Sequence, residues 1–247
     1  MSVNAKMTAI ADAIRDKTGS AEKLSLDEMA AGVGAVYTAG QQDRESAFWD
    51  AIQDSGNRTD YRYAFFHTGF THIDPKWDIR ATNGDSIFCV CAKLESVNWE
   101  KVDLSAASSL YSAFAYCSNL TEVDTDLCVP NGTATLLNSV FRNCTALQRV
   151  KKITAHPSAV WKNSFDNCTA LTHIIFDGTI GANGLNLQWS TELDRESIES
   201  IINALSDTTT GLCITLSEAA VINAFGSLYD EWTTVAGAKL NWTINLV

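Results

Sequence analysis

The stretch Phe141-Arg-Asn-Cys144-Thr-Ala-Leu147-Gln-Arg-Val150 carries an apolar residue or a cysteine at every third position. The pattern Phe-x-x-Cys-x-x-Leu-x-x-(Val/Ile) occurs four times, and its phenylalanines are 26, 27 and 24 residues apart. The four copies span Phe88–Val97, Phe114–Val123, Phe141–Val150 and Phe165–Ile174. A degenerate fifth copy, from Phe65 to Ile73, is one residue short and has Thr68 in place of the cysteine. Four fixed positions at a nearly constant spacing identify an internal repeat.

A repeat of this length predicts an α/β solenoid, because one short coil cannot bury its own apolar face and must share a core with its neighbours. The Phe, Cys, Leu and Val positions would then form four inward rows along the axis. The end of each copy predicts a strand of a parallel sheet, most clearly at Leu171–Phe176. The segment before it, Ser112–Cys117 in the second copy, predicts one tight helical turn.

Four of the seven cysteines belong to the repeat. A chain of 247 residues does not need disulfides to stabilise its core, and it has no Cys-x-x-Cys pair for zinc or thiol exchange. We therefore expect reduced thiols that act as small buried apolar groups. Because cysteines in a row would be spaced along the axis rather than gathered around one ion, we expect no metal and no cofactor.

Residues 1–57 predict a helical N-terminal region. Apolar residues between Met7 and Ile14 share one helical face, a capping box at Ser25–Glu28 opens a second helix, and Gln41–Gln53 predicts a third. These helices either fold back as a cap on the repeats or join copies of the chain into a homo-oligomer through residues 1–55. The sequence leaves both alternatives open.

Residues 58–247 form the predicted solenoid domain, with a helix-containing C-terminal cap from about residue 190. A helix is predicted from Asp194 to Leu205 and another from Ser217 to about Tyr229. Strands are predicted at Leu212–Leu216 and Trp242–Leu246. These elements would close the end of the apolar core.

The composition excludes several partners. The net charge is −11 and the chain has no basic run, so nucleic acid is not an expected ligand. No apolar run is long enough to insert into a membrane. No apolar segment follows Lys6, so no signal peptide is expected, and the chain either stays in the cytoplasm that makes it or leaves inside a particle released on lysis.

The repeat unit resembles the BspA-like leucine-rich repeats of bacteria over roughly residues 60 to 246. The segments Ala9–Gly19, Leu26–Met29, Phe48–Ile52 and Pro75–Ile79 are similar to segments of proteins encoded by phages and prophages of Gram-positive (Firmicutes) bacteria. That resemblance implies a virion protein of the tail or baseplate, structural or host-attaching, whose partners are other virion proteins or a host cell-surface protein or glycan. The alternative it leaves is a cell-surface or secreted adhesin of BspA-like type. The absent signal peptide argues against this alternative, which would place the chain at the bacterial surface or in the cytoplasm.

Neither the motifs nor the clusters in the sequence predict an enzyme. His67, His72 and Asp74 form the only local cluster with metal-ligand chemistry, and their spacing matches no standard ligand pair. Asp124 and Asp126 could form a carboxylate pair, but glycoside hydrolysis needs two carboxylates inside a cleft, and a small solenoid offers a shallow face. We therefore expect a non-enzymatic protein with no catalytic residues.

The outward positions of the predicted strands form the candidate binding surface. Glu122 and Asp124 lie in one coil, Arg149 and Lys151 in the next, and His173 in the one after, on the open side of the sheet. In register, the acidic coil would lie beside the basic coil. One interpretation is a cross-strand charge ladder that contributes a few tenths of a kcal/mol per pair. The other is a polar recognition face of the kind through which solenoids bind partners.

Trp161 and Trp189 complete the candidate binding surface. Both lie in or near loops between coils and are surrounded by small and polar residues, so we expect both to be exposed. Exposed tryptophan is enriched at binding hot spots. The alternative for any tryptophan is burial in the core.

Overall fold

The computed structural model describes residues 58–127, 136–226 and 229–247, without the side chains of Tyr229 and Asp230. All of these residues belong to one compact unit, Asp54–Val247. The helices predicted for residues 1–57, with their capping or oligomerising role, lie outside the described residues.

The described residues form ten strands and three helices. The strands are β1 (His72–Ile73), β2 (Ile79–Arg80), β3 (Ser96–Val97), β4 (Val102–Asp103), β5 (Glu122–Leu127), β6 (Arg149–Ala155), β7 (His173–Gly178), β8 (Asn186–Leu187), β9 (Leu212–Leu216) and β10 (Trp242–Leu246). The helices are α1 (Arg195–Ala204), α2 (Glu218–Phe225) and α3 (Tyr229–Gly237).

The strands pair in parallel in four small open sheets, β1-β3, β2-β4, β5-β6-β7 and β8-β9-β10. In the third sheet, the valine position of each repeat is in register with that of the next, because Val123 pairs with Val150 and Val150 pairs with Ile174. Parallel pairing follows from the repeat, since each coil brings the chain back to the same end before the next strand begins. The predicted parallel strands are confirmed.

A row of phenylalanine rings runs through the core. The rings of Phe65, Phe88, Phe114, Phe141 and Phe165 follow one another with centroid distances of 5.2, 5.4, 5.3 and 5.6 Å. All five side chains are buried. The degenerate copy is part of this row, so the predicted phenylalanine row is confirmed and extends to five members.

The cysteine row also makes a polar contact that the sequence analysis did not foresee. The thiol of each repeat cysteine donates a hydrogen bond to the phenylalanine carbonyl of the preceding repeat. The donor–acceptor distances are 2.9 Å for Cys91 to Phe65, 3.0 Å for Cys117 to Phe88, 2.9 Å for Cys144 to Phe114 and 3.1 Å for Cys168 to Phe141. Thr68, which stands in for cysteine in the first copy, has its hydroxyl 3.3 Å from the Cys91 sulfur. The cysteine position of each repeat therefore requires a small apolar side chain that can also donate a hydrogen bond.

Burial keeps these thiols protonated. Desolvation raises the pKa of Cys117 and Cys144 well above the ordinary thiol value and raises the pKa of Cys168 to about 12. The thiolate is the reactive form of cysteine, so these side chains are structural groups.

The segment around each phenylalanine is not the predicted helical turn. Ser112 and Tyr116 have φ values of 53° and 65°, in the left-handed region, on either side of Phe114. The amides of Ala113 and Cys117 bond three residues back, whereas the amides of Phe114 and Tyr116 bond carbonyls of the next repeat at 2.9 and 2.7 Å. A helix would direct all of its amides along its own axis. In this segment, successive amides alternate between carbonyls three residues back and carbonyls of the next repeat. This alternation requires residues in the left-handed conformation.

The left-handed pair recurs in all five copies. Its members are Tyr63 and His67, Ser86 and Val90, Ser112 and Tyr116, Ser139 and Asn143, and Asn163 and Asn167. Asparagine tolerates this conformation better than most residues, and the recurring Asn-Cys-Thr at 143–145 and 167–169 begins with such an asparagine in a turn.

The C-terminal part has the predicted first helix and the predicted strands β9 and β10, but the helix predicted to continue to about Tyr229 ends at Phe225, and α3 was not predicted. Asp194 caps α1, and the hydroxyls of Ser197 and Ser200 on that helix accept the β7 amides of Ile174 and Phe176 at 2.9 and 3.1 Å. The helix therefore takes the place that a further strand would hold beside β7. Leu187, Ser190 and Leu193 have the repeat spacing and are buried, so they form a sixth, degenerate copy that the sequence analysis missed.

We expect Phe141→Ala to lower the free energy of unfolding by about 3–5 kcal/mol, because it opens a cavity between two buried rings. Phe66→Ala is the control, since this ring is 45% exposed and its loss should change stability by no more than about 0.5 kcal/mol. Urea unfolding followed by circular dichroism measures both. Equal effects of the two substitutions would contradict the buried row.

We also expect Cys213, which is half-buried, to react with an alkylating reagent before Cys117, Cys144 and Cys168. Peptide mass spectrometry after timed labelling of the folded chain gives the order of reaction. The difference should disappear in urea. Equally fast labelling of the three buried thiols in the folded chain would show that the row is open to solvent.

Candidate binding surface

The outward side chains of β5 and β6 form a surface that we call the charged face. It consists of Glu122, Asp124 and Asp126 on β5 and Arg149, Lys151 and Lys152 on β6. On β5 the acidic side chains alternate with residues that point into the core, such as Val123. On β6 a register shift between Val150 and Ile153 leaves the consecutive Lys151 and Lys152 both accessible to solvent. Three acidic groups of one repeat therefore lie beside three basic groups of the next.

Ion pairs join the two strands of the charged face. Arg149 Nε lies 3.2 Å from Glu122 Oε1, Lys151 Nζ lies 3.7 Å from Asp124 Oδ1, and Lys152 Nζ lies 2.9 Å from Asp126 Oδ2. The hydrogen bond to Asp126 raises the pKa of Lys152. The predicted pairing of the acidic coil with the basic coil is confirmed.

These pairs are too exposed to hold the fold together. The side chains of Glu122, Arg149, Asp124 and Lys151 are each about half exposed, and such pairs contribute about 0.2–1 kcal/mol each. The charged groups are therefore available to a partner. The two interpretations of the sequence are compatible, since the same side chains form the ladder and line the surface.

His173 continues the outward row of Glu122 and Arg149, because it is the register partner of Arg149 on β7. Its side chain is only 19% exposed, and its Nδ1 lies 2.7 Å from Asp194 Oδ2. Asp194 also accepts the Ser197 amide at 2.8 Å as the N-cap of α1. Although burial alone would raise the pKa of Asp194, the hydrogen bonds from Ser197 and His173 lower it overall. This pair joins the repeats to the first helix of the cap rather than presenting an open histidine.

The exposure predicted for Trp161 is wrong, and that for Trp189 is confirmed. Trp161 is fully buried, with its ring 5.7 Å from that of Phe176, whereas Trp189 is 46% exposed. Trp161 stands four residues before a repeat phenylalanine, where the earlier repeats have the buried Leu110 and Leu137. That spacing is the signal that would have placed it in the core, and burial removes it from the candidate surface.

Neither a metal site nor a membrane span emerges from residues 58–127, 136–226 and 229–247. No group of three or more His, Cys, Asp or Glu side chains is close enough there to hold a metal ion. The same residues contain no helix with the length and apolar character needed to cross a bilayer.

Comparison with known families identifies the repeat. The family model of the BspA type leucine rich repeat region (6 copies) matches residues 61–172 and 84–217. The chain belongs to the BspA-type leucine-rich repeat family. No curated protein and no solved structure is significantly similar to it.

Membership in the BspA-type leucine-rich repeat family bears on the surface described above. The repeat indicates a protein-binding role, and the charged face is composed of residues from two of its consecutive copies.

Asp194 generates a prediction about pH. Because its pKa is lowered from 3.8 in the folded chain, its charge stabilises the fold at neutral pH, and this contribution is lost as the pH falls from about 3.8 through the lower folded value. Asp194→Asn keeps an N-cap acceptor but has no such charge. We expect the variant to be less stable at pH 7 by less than about 1 kcal/mol, and the difference to shrink below pH 4.

Urea unfolding of both proteins between pH 7 and pH 3 measures this difference. Glu192→Gln is the control, because it removes an exposed carboxylate that has no ion pair within the described part of the chain. A stability difference between the parent and Asp194→Asn that is independent of pH would show that the charge of Asp194 has no role.

Proposed function

We propose that this chain is a non-enzymatic bacteriophage virion protein, a structural or host-attachment component of the tail or baseplate. It acts by binding other virion proteins or a protein or glycan of the host cell surface. The observation that carries the proposal is the charged face, which two consecutive repeats hold in register on a parallel sheet. The family match supports a binding role, and the resemblance of the N-terminal segments to phage and prophage proteins supports the virion.

The same proposal includes the form of the repeat array. We propose that the coils form one open solenoid, which the five-membered phenylalanine row and the parallel pairing support. A solenoid suits attachment because its stacked coils present an extended, rigid surface at little conformational cost to binding. Residues 1–55 would then join copies of the chain or dock it to the particle.

Location is the first part of the test. We expect mass spectrometry of particles purified from lysed host cells to detect this chain in the virion. Detection on the bacterial envelope, together with absence from purified particles, would favour the adhesin alternative and contradict the virion proposal.

Light scattering of the full chain and of a chain without residues 1–55 tests the role of that region, and we expect only the full chain to form an oligomer.

The charged face is the second part of the test. We expect the double variant Arg149→Glu, Lys151→Glu to reduce binding of the purified full-length chain to host cells by about tenfold, because it places like charges opposite Glu122 and Asp124 and makes the face acidic. Lys162→Glu makes an exposed charge reversal outside the face and should leave binding unchanged. Circular dichroism verifies that the variants are folded. Unchanged binding by the folded double variant would show that this face is not the attachment surface.

A further inference from the structure

A second row of outward side chains lies on the turn segments rather than on the strands. In the last four copies it contains the residue two positions after the core residue: Tyr116, Asn143 and Asn167 follow phenylalanines, and Trp189 follows Leu187. The two earlier copies have His67 and Val90 at this position. We call these four residues the turn row. The charged face does not include the turn row, although Trp189 belongs to the candidate binding surface predicted from the sequence.

Hydrogen bonds bring the members of the turn row side by side. The Tyr116 amide donates to the Arg142 carbonyl at 2.7 Å, and the Asn143 amide donates to the Asp166 carbonyl at 2.8 Å. The side chain of Asn167 donates through Nδ2 to Asn143 Oδ1 at 3.0 Å. At the last step, the Ser190 hydroxyl donates to the Cys168 carbonyl at 3.2 Å, which places Trp189 and Asn167 on neighbouring coils.

The turn row has aromatic ends and a polar middle. Tyr116 and Trp189 are 44% and 46% exposed, so both rings present apolar area to solvent. Between them, Asn143 Nδ2 and Asn167 Oδ1 have no hydrogen-bond partner within the described residues, so a donor and an acceptor remain available. Arg142 lies beside this row, with its guanidinium carbon 6.0 Å from the centre of the Tyr116 ring.

The spacing of the coils beneath the turn row suits a saccharide. The phenylalanine rings beneath it are 5.3 and 5.6 Å apart, which is comparable with the length of one pyranose residue in an extended chain. Aromatic rings stack on the apolar faces of sugars, and amide groups both donate to and accept from hydroxyls. The chain has a net charge of −11, which disfavours an anionic ligand.

We propose that the turn row binds an extended, uncharged chain of β-linked pyranoses. Tyr116 and Trp189 provide stacking platforms, and Asn143 and Asn167 hydrogen-bond the sugars between them. The four positions of the turn row would contact about four sugar residues, so the affinity depends on the length of the saccharide as well as on its chemistry. If the row bound a protein instead, affinity would show no dependence on the number of sugar units.

Isothermal titration of the full-length chain with soluble β-1,4-linked oligosaccharides tests the proposal. The probes are the monomer to pentamer series of glucose and of N-acetylglucosamine. We expect the affinity for at least one series to increase by about tenfold or more from dimer to tetramer and to change little from tetramer to pentamer. No binding to either tetramer, or an affinity independent of length, would overturn the proposal.

Substitutions in the turn row identify the site. Tyr116→Asn removes the ring but retains a residue that tolerates the left-handed backbone, and Trp189→Ala removes an exposed ring; each should weaken tetramer binding by about tenfold. Tyr63→Asn is the matched control, because Tyr63 is also exposed and left-handed but lies outside the row. Equal effects of the three substitutions would place the ligand elsewhere and overturn the assignment.

The outcome is separable from that of the proposed function. Host-cell binding that is lost with the charged-face variant and kept with the turn-row variants supports attachment through the charged face alone. Binding of the purified chain to a host protein, with no response to either saccharide series, would support a protein partner and overturn the saccharide site.

Discussion

Each internal phenylalanine of the row has an aromatic ring on both sides, and each repeat cysteine donates a hydrogen bond to the phenylalanine carbonyl of the coil before it. These two contacts fix neighbouring coils to one another at one place in every repeat. The rest of the structure depends on that constraint, because the strands, the turn amides and the outward rows all take their spacing from it. A polar or small side chain in the row would remove the packing against the rings of both neighbouring coils.

The positions that could be predicted from the sequence are those at which one physical requirement decides the residue. Phe88, Phe114 and Phe141 are buried in a row because a recurring large apolar residue must share a core with its copies. The pairing of Glu122 with Arg149 follows from the register of parallel strands, which the repeat itself sets. Helices α1 and α2 are marked by their N-caps, Asp194 and Ser217, whereas α3 was not predicted.

Other features required information that residue types do not carry. The left-handed pairs are occupied by Tyr, Ser, His, Val and Asn, so no composition marks them, and they exist because alternate amides must reach the next coil. Trp161 was misplaced because its polar neighbours outweighed its position four residues before a phenylalanine. The sixth copy was missed because leucine and serine replace the phenylalanine and the cysteine. The binding role of the outward rows could not be predicted from residue types either, because the same charged side chains form an ion-pair ladder and a solvent-exposed surface.

The junction between β7 and α1 determines which parts of this protein are modular. Serine hydroxyls of the helix accept the β7 amides, so β7 and α1 form a matched terminal pair that no other strand can replace without equivalent acceptors. Upstream of β7, each coil bonds its neighbours through backbone groups and through a thiol that recurs in every full copy. The array could therefore gain or lose whole coils before residue 165 and still end on the same terminus. The length of the array would then change in steps of one repeat, and its C-terminal cap would stay the same.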